Sequence, residues 1–204
     1  MTEQILAFGS ATVAKALGRP CWVGEQIRPV WRGARLAGPA FTARTTAPDN
    51  LALHRALEGA NRGDVLVVDA GGIASGFWGE IMSVAALERG LAGLVIDGGV
   101  RDIDRIEQLG FPVFARSVAI AETAKVALGE INVPVVIGGL SVAPGDVVLG
   151  DADAVVVVPP AELPRVLVRS REIEAREAET LKRIRSGEST IQALGLSRGR
   201  DGEV

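Results

Sequence analysis

GDVLVVDAGGIASGFWGEIMSVAALERGLAGLVIDGGVRD, residues 63–102, decides how this chain folds. Its opening run VLVVDA follows a Gly-Asp turn and is closed by Gly71-Gly72. A short apolar run between turn residues reads as a buried strand. GEIMSVAALERG then has helical spacing, and LAGLVIDGG is a second apolar run that ends in glycines. Strand, helix and strand in that order indicate an α/β fold with a partly parallel sheet.

The same alternation extends to both sides. In TEQILAFGSATVAKAL, residues Ile5, Leu6, Val13, Ala16 and Leu17 can share one face, which predicts an N-terminal helix within residues 1–20. Gly18 and Pro20 stop it. RLAGPAFTARTTA alternates as a strand does, and PDNLALHRALEGA reads as a helix with Asp49 as N-cap and Gly59 near its end. After the central unit, RDIDRIEQLG is a short helix and FPVFARS a strand. Beyond Lys125 the pattern changes. INVPVVIGGLSVAPGDVVLGDADAVVVVPP is a run of short strands with Gly, Pro and Asp turns and no room for a helix, as in an antiparallel or barrel-like section. Residues 161–187 interleave acids and arginines at helical spacing and predict a C-terminal helix. With no repeat, low-complexity segment or long polar linker, residues 1–204 read as one domain.

Composition excludes several classes. No apolar stretch approaches the ~20 residues of a membrane helix, and the N-terminus lacks the features of a secretory signal. Cys21 is the only cysteine, so an intrachain disulfide and a cysteine-based zinc cluster are excluded, and a reducing cytoplasm is the expected compartment. The net charge is −3 and there are only three Trp and five Phe, with no basic stripe among them, which argues against direct nucleic-acid binding. Hydrophobic residues make up 48% of the chain, which is high for a small monomer. Burial between subunits accounts for that, as does a Val/Ala-rich parallel sheet.

The chemistry concentrates at the strand exits. Ligands in open α/β sheets bind beyond the carboxyl ends of strands, and the loop GGIASGFWG sits at such an end. The amides of Ile81 and Met82, at the start of the next helix, are free donors suited to a carboxylate or phosphate. Twenty residues separate Glu80 from Arg101-Asp102. If the two strands are neighbours, ~4.8 Å apart, that spacing brings all three charges to one crevice. Asp102 is then a hard oxygen ligand for Mg²⁺ or Mn²⁺, Glu80 holds a water, and Arg101 grips a carboxylate or 2-oxo oxygen. The plainer alternative is that Asp102 caps the short helix and Arg101 pairs with Asp97 or Asp104.

These residues resemble the RraA-like family. An acidic residue, twenty residues and Arg-Asp is that family's aldolase motif, present here as Glu80 and Arg101-Asp102. GGIASGFWGE, GLAGLVIDGGVRD, FPVFAR, INVPVVIGG and PGDVVLGDADAVVVVP are also similar to the family's wording, across residues 50–159. The family includes class II 4-hydroxy-4-methyl-2-oxoglutarate / 4-carboxy-4-hydroxy-2-oxoadipate aldolases and the regulator of ribonuclease activity A, and many members carry an old menaquinone methyltransferase label. The resemblance implies a ββα-sandwich of the swivelling-domain type, a homotrimer or homohexamer with sites between subunits, and a metal at Asp102. It implies that Arg101 and the backbone of Gly79, Glu80, Ile81 and Met82 hold a pyruvate moiety. It further implies a glutamate from a neighbour's C-terminal region, for which Glu177 is a candidate. The implied activity is cleavage of a 4-hydroxy-2-oxo acid through a pyruvate enolate, with oxaloacetate decarboxylation by the same route. Binding to a ribonuclease without catalysis is the rival.

Other chemistries fit less well. A Schiff-base aldolase needs a buried lysine of lowered pKa. Lys15 and Lys182 lie on outer helices, and Lys125 is expected far from the glycine loop. His54, the only histidine, is expected to be structural or solvated, and Asp97 a turn residue. GGIASG does not match the dinucleotide-binding fingerprint.

Overall fold

The computed structural model describes residues 2–46 and 48–196. Strand β2 (Leu36–Arg44) joins two kinds of sheet. Its second half pairs in parallel with β3 (Val65–Asp69), and its first half pairs antiparallel with β9 (Val147–Gly150). From β3 the sheet continues in parallel through β4 (Gly93–Val100) to β5 (Val113–Val118), where the short β1 (Arg28–Pro29) adds antiparallel. On the other side β9 pairs antiparallel with β10 (Val155–Val158). Residues 21–23 then run along β10, with the Val23 amide donating to Val155 at 3.0 Å and the Val157 amide to Cys21 at 2.8 Å. One short segment, 21–29, therefore touches both ends of the sheet and curls it nearly closed. β6 (Glu130–Ile131) adds to the end of β2, and β7 (Val135–Ile137) and β8 (Leu140–Val142) form a separate hairpin.

The curled sheet is apolar on both faces, because successive strand residues point to opposite sides. In β3, Val65 and Val67 face the inside of the curl with Val95, Phe114 and Val148. Leu66 and Val68 face outward, onto α3 (Leu51–Gly59), α4 (Glu80–Arg89) and α5 (Ile103–Leu109). In β10, Val155 and Val157 point inward, while Val156 and Val158 meet Val13 and Leu17 of α2 (Ser10–Leu17) and Val166 and Leu167 of α6 (Leu163–Arg185). The expected α/β fold, β-rich second half and C-terminal helix are all present.

Three expectations need correction. The N-terminal helix is two pieces, α1 (Thr2–Ile5) and α2, because Gly9 is extended and the Asp151 carboxylate takes the Ser10 amide and hydroxyl, both at 2.7 Å. Asn50, not Asp49, occupies the cap position of α3. The Asp49 carboxylate instead accepts the Leu51, Val126 and Ala127 amides at 2.9, 2.7 and 2.9 Å. Asp97 is not a turn residue, for β4 continues to Val100 through an irregularity after Ile96. A further short helix, α7 (Thr190–Leu194), follows α6 and is closed by a capping box at Ser189 and Gln192. The single-domain reading of residues 1–204 includes residues 1, 47 and 197–204, which lie outside the described ones.

Candidate active site

β3 and β4 are parallel neighbours, with Asp69 opposite Asp97, so their exits open side by side. The chain leaving β3 returns at Trp78, which bridges to Val100 at the end of β4, and the Arg101 amide donates to the Trp78 carbonyl at 2.9 Å. That pairing sets residues 78–80 against residues 100–102. Asp102 has φ 59°, a left-handed conformation uncommon for residues other than glycine. In this turn its Oδ2 accepts the Glu80 amide at 3.2 Å, and Arg101 Nε lies 3.8 Å from the same oxygen. Gly79 is needed for this approach, because a Cβ there would overlap Asp102 Oδ2.

The plainer alternative for these charges does not hold. Asp102 occupies the cap position of α5 but makes no side-chain cap bond. Asp97 is taken by Arg116, and its other oxygen accepts the Gly138 amide at 2.9 Å. Burial raises the Asp97 pKa, but those partners outweigh burial and hold its carboxyl below the ordinary range.

The residues converge on an open cleft of about 210 Å³. Gly79, Glu80, Ile81, Met82, Arg101 and Asp102 all line it. The Arg101 and Asp102 side chains are 44% and 42% exposed, and Glu80 is also exposed. The Glu80 amide, one of the backbone groups that the resemblance implies for a pyruvate moiety, is already used by Asp102. Gly71 and Gly72 do not line the cleft, and Gly72 packs instead against Arg116.

The opposite wall was largely missed from sequence. It consists of Asn50, the cap residue of α3, of His54 on α3, and of Glu122, Thr123 and Lys125. Lys125 is therefore not remote from the site. The Asn50 amide donates to Ala124 at 3.0 Å, the Ala124 amide to Pro48 at 2.8 Å, and Asp49 binds the two amides just after Lys125. No local pattern links residues 48–50 to 124–127, so only the tertiary pairing shows it. Burial lowers the His54 pKa, Lys125 adds to that and Glu58 opposes it, so the neutral imidazole is favoured. Its Nε2 is buried with no hydrogen-bond partner. Asn50 donates its Nδ2 to the Phe77 carbonyl at 3.0 Å, and its Oδ1 is likewise buried without a partner. Glu177 lies in the α2–α6 layer, paired with Lys15 at 3.0 Å, and not in this cleft.

The donor set suits a hard cation. Among the described residues no cluster of three or more His, Cys, Asp or Glu could hold a metal. Asp102 does open into the cleft next to Glu80, and magnesium is commonly held by only one or two carboxylates and waters.

Comparison with known proteins gives a consistent result. The RraA-like family, described as Aldolase/RraA, matches residues 10–157. A Halalkalibacterium halodurans protein provisionally named 4-hydroxy-4-methyl-2-oxoglutarate aldolase is 36% identical over 191 residues, covering 93% of this chain and 91% of its own. The 4-hydroxy-4-methyl-2-oxoglutarate aldolase of Thermus thermophilus is 34% identical, over 67% of this chain and 85% of its own. Among solved structures, the RNA-processing inhibitor RraA from Thermus thermophilus superposes with a TM-score of 0.69 at 28% identity, over 74% of this chain and 92% of that one. Sequence, curled sheet and strand-exit cleft agree: the chain belongs to the RraA-like family.

Proposed function

We propose that this protein is a divalent-metal-dependent class II aldolase. It cleaves 4-hydroxy-4-methyl-2-oxoglutarate or 4-carboxy-4-hydroxy-2-oxoadipate to pyruvate and a second 2-oxo acid. It also decarboxylates oxaloacetate through the same pyruvate enolate. The observation that carries this reading is the Asp102 turn. A left-handed aspartate, a glycine cleared of its Cβ and an adjacent arginine together present one carboxylate to an open cleft. The aldolase names of two relatives support it.

Asp102 would hold the cation, with Glu80 beside it to orient a water. A bound Mg²⁺ or Mn²⁺ would supply Lewis acidity toward the substrate's 2-oxo acid group. Arg101 binds the carboxylate and 2-oxo oxygen of the pyruvate half, helped by the backbone from Gly79 to Met82. The water held by Glu80 takes the C4 hydroxyl proton. The C3–C4 bond breaks, its electron pair moves toward the C2 oxygen, and the Arg101 cation stabilises the enolate charge that develops there. Protonation at C3 gives pyruvate.

The same reading places the site between subunits of a homotrimer or homohexamer. Ile81, Val84 and Leu87 are exposed at helical spacing on α4, and Val118, Ile120, Val126 and Leu128 are exposed around the segment that carries Lys125. Exposed apolar side chains of this kind are often buried in oligomers. A neighbour seated there could contribute a C-terminal glutamate such as Glu177. Among the described residues no helix is long and apolar enough to cross a membrane, and the proposed compartment is the cytoplasm.

The test is pyruvate release by EDTA-stripped protein from oxaloacetate and from 4-carboxy-4-hydroxy-2-oxoadipate, before and after adding Mg²⁺ or Mn²⁺. Pyruvate that appears only with metal is the expected result. Folded protein that releases none under any condition would favour a binding role of the ribonuclease-regulator type instead.

A further inference from the structure

A buried hydrogen-bond network stands directly behind the Asp102 turn, and the proposed chemistry makes no use of it. The Trp78 indole donates its Nε1–H to Ser83 Oγ at 2.8 Å, and that hydroxyl donates in turn to the Gly79 carbonyl at 3.0 Å. The Ser83 amide donates to the same carbonyl at 3.0 Å. Ser83 is fully buried and Trp78 nearly so. The Trp78 ring stacks on buried Phe111, with centroids 6.0 Å apart, which holds the indole donor in place.

A helical serine often bonds the carbonyl four residues back, and that bond alone has no bearing on a site. Here the directions are forced. An indole N–H can only donate, so the hydroxyl accepts from it and spends its single proton on Gly79. The next link is covalent. The Gly79 carbonyl and the Glu80 amide belong to one planar trans peptide and point in opposite directions. Ser83 holds the carbonyl end from inside the fold. The amide end is thereby aimed outward, at Asp102 Oδ2, 3.2 Å away. Trp78 also anchors the facing segment, because its carbonyl accepts the Arg101 amide at 2.9 Å.

Resting on the aldolase reading, we infer that Ser83 is a positioning residue for the Asp102 carboxylate, acting with the Trp78 indole through the Gly79–Glu80 peptide. Ser83 touches neither cation nor substrate. Its hydroxyl fixes the orientation of one peptide, and the amide of that peptide fixes the carboxylate that would hold the cation. When the hydroxyl is removed, the peptide is free to tilt, Asp102 loses its fixed partner, and the buried indole N–H is left unpaired. Changing an outer partner of a metal ligand typically costs roughly 10- to 100-fold in affinity or activity. Ser83 acts one link further out, so its effect belongs at the lower end of that range.

The experiment measures Mn²⁺ affinity, from the EPR signal of the free ion, for wild-type protein, S83A, W78F and the double variant. Pyruvate release from oxaloacetate is followed alongside, at limiting and at saturating Mn²⁺. S83A is expected to weaken Mn²⁺ binding about tenfold. Its pyruvate release should fall in step at limiting Mn²⁺ and largely return at saturation. W78F, which takes only the indole donor from the hydroxyl, should lose less. The double variant should lose no more than S83A alone, because both changes break one network. S83A removes a single buried oxygen, so it keeps the inference testable even if W78F does not fold, and thermal midpoints show which variants are folded. A midpoint that falls in S83A while Mn²⁺ affinity and pyruvate release hold would leave Ser83 a structural role only and overturn the inference. Losses that add in the double variant would overturn the joint action of Trp78 and Ser83. If wild-type protein releases no pyruvate at any Mn²⁺ concentration, the aldolase reading itself fails, and this inference fails with it.

Discussion

β4 carries an acid near each end of its exit, and the two have opposite fates. Asp97 lies within the strand, with its side chain 10% exposed, bonded to Arg116 and to the Gly138 amide. Asp102, five residues on, is 42% exposed and shares one oxygen with an amide at 3.2 Å and an arginine at 3.8 Å. The first Asp–Arg pair is satisfied by the fold and pins the β7–β8 hairpin to the sheet. The second is held in place but left open to a ligand. The lesson is that proximity of opposite charges does not mark a site; unspent capacity to bond, facing a cleft, does.

That contrast makes predictions of decreasing size. D102A should lower metal-dependent pyruvate release by ~10³-fold or more, while its thermal midpoint moves little, because the side chain is exposed. R101A should lose about 10²–10³-fold in kcat, as expected for a group that stabilises developing charge. If either change unfolds the protein instead, the two pairs do not differ as described. D97A should do the reverse. Stripping one partner from a mostly buried pair costs about 3 kcal/mol, read as a shifted denaturation midpoint, with turnover reduced far less than in D102A.

The pH dependence sharpens the same distinction. The Asp97 carboxyl is held below its ordinary range by Arg116 and the Gly138 amide, against the effect of burial. Its contribution to stability is therefore complete above the unfolded-state value of ~3.9 and is lost as pH falls through the lower folded-state value. D97N should flatten the acid limb of the stability curve. G79A should cost roughly 10–100-fold in activity, because the added Cβ displaces the carboxylate that the glycine admits. Smallest is S10A, which removes a 2.7 Å bond to the buried Asp151 and should cost about 1.5 kcal/mol without touching turnover.

The distance between what residues 63–102 say and what they leave out has a physical basis. Strand–helix–strand is a local pattern: the apolar runs, the glycine stops and the helical period are all visible within forty residues. That pattern also implies adjacent parallel strands, so the meeting of Glu80 with Arg101 and Asp102 could be expected from spacing alone. Asp97 was misread because the sequence Asp-Gly-Gly is a turn signal. Nothing nearby announces Arg116 or Gly138, the partners that keep the strand running past it.

By itself, then, the sequence determined the α/β class, the β-rich second half, the C-terminal helix and one wall of the cleft, because each depends on neighbours in the chain. Tertiary structure decided the rest. It curled the sheet through residues 21–29, split the N-terminal helix by anchoring Ser10 to Asp151, and carried Lys125 to the cleft on the amides held by Asp49. Those contacts join residues 77 to 141 positions apart, and no local period or spacing encodes them.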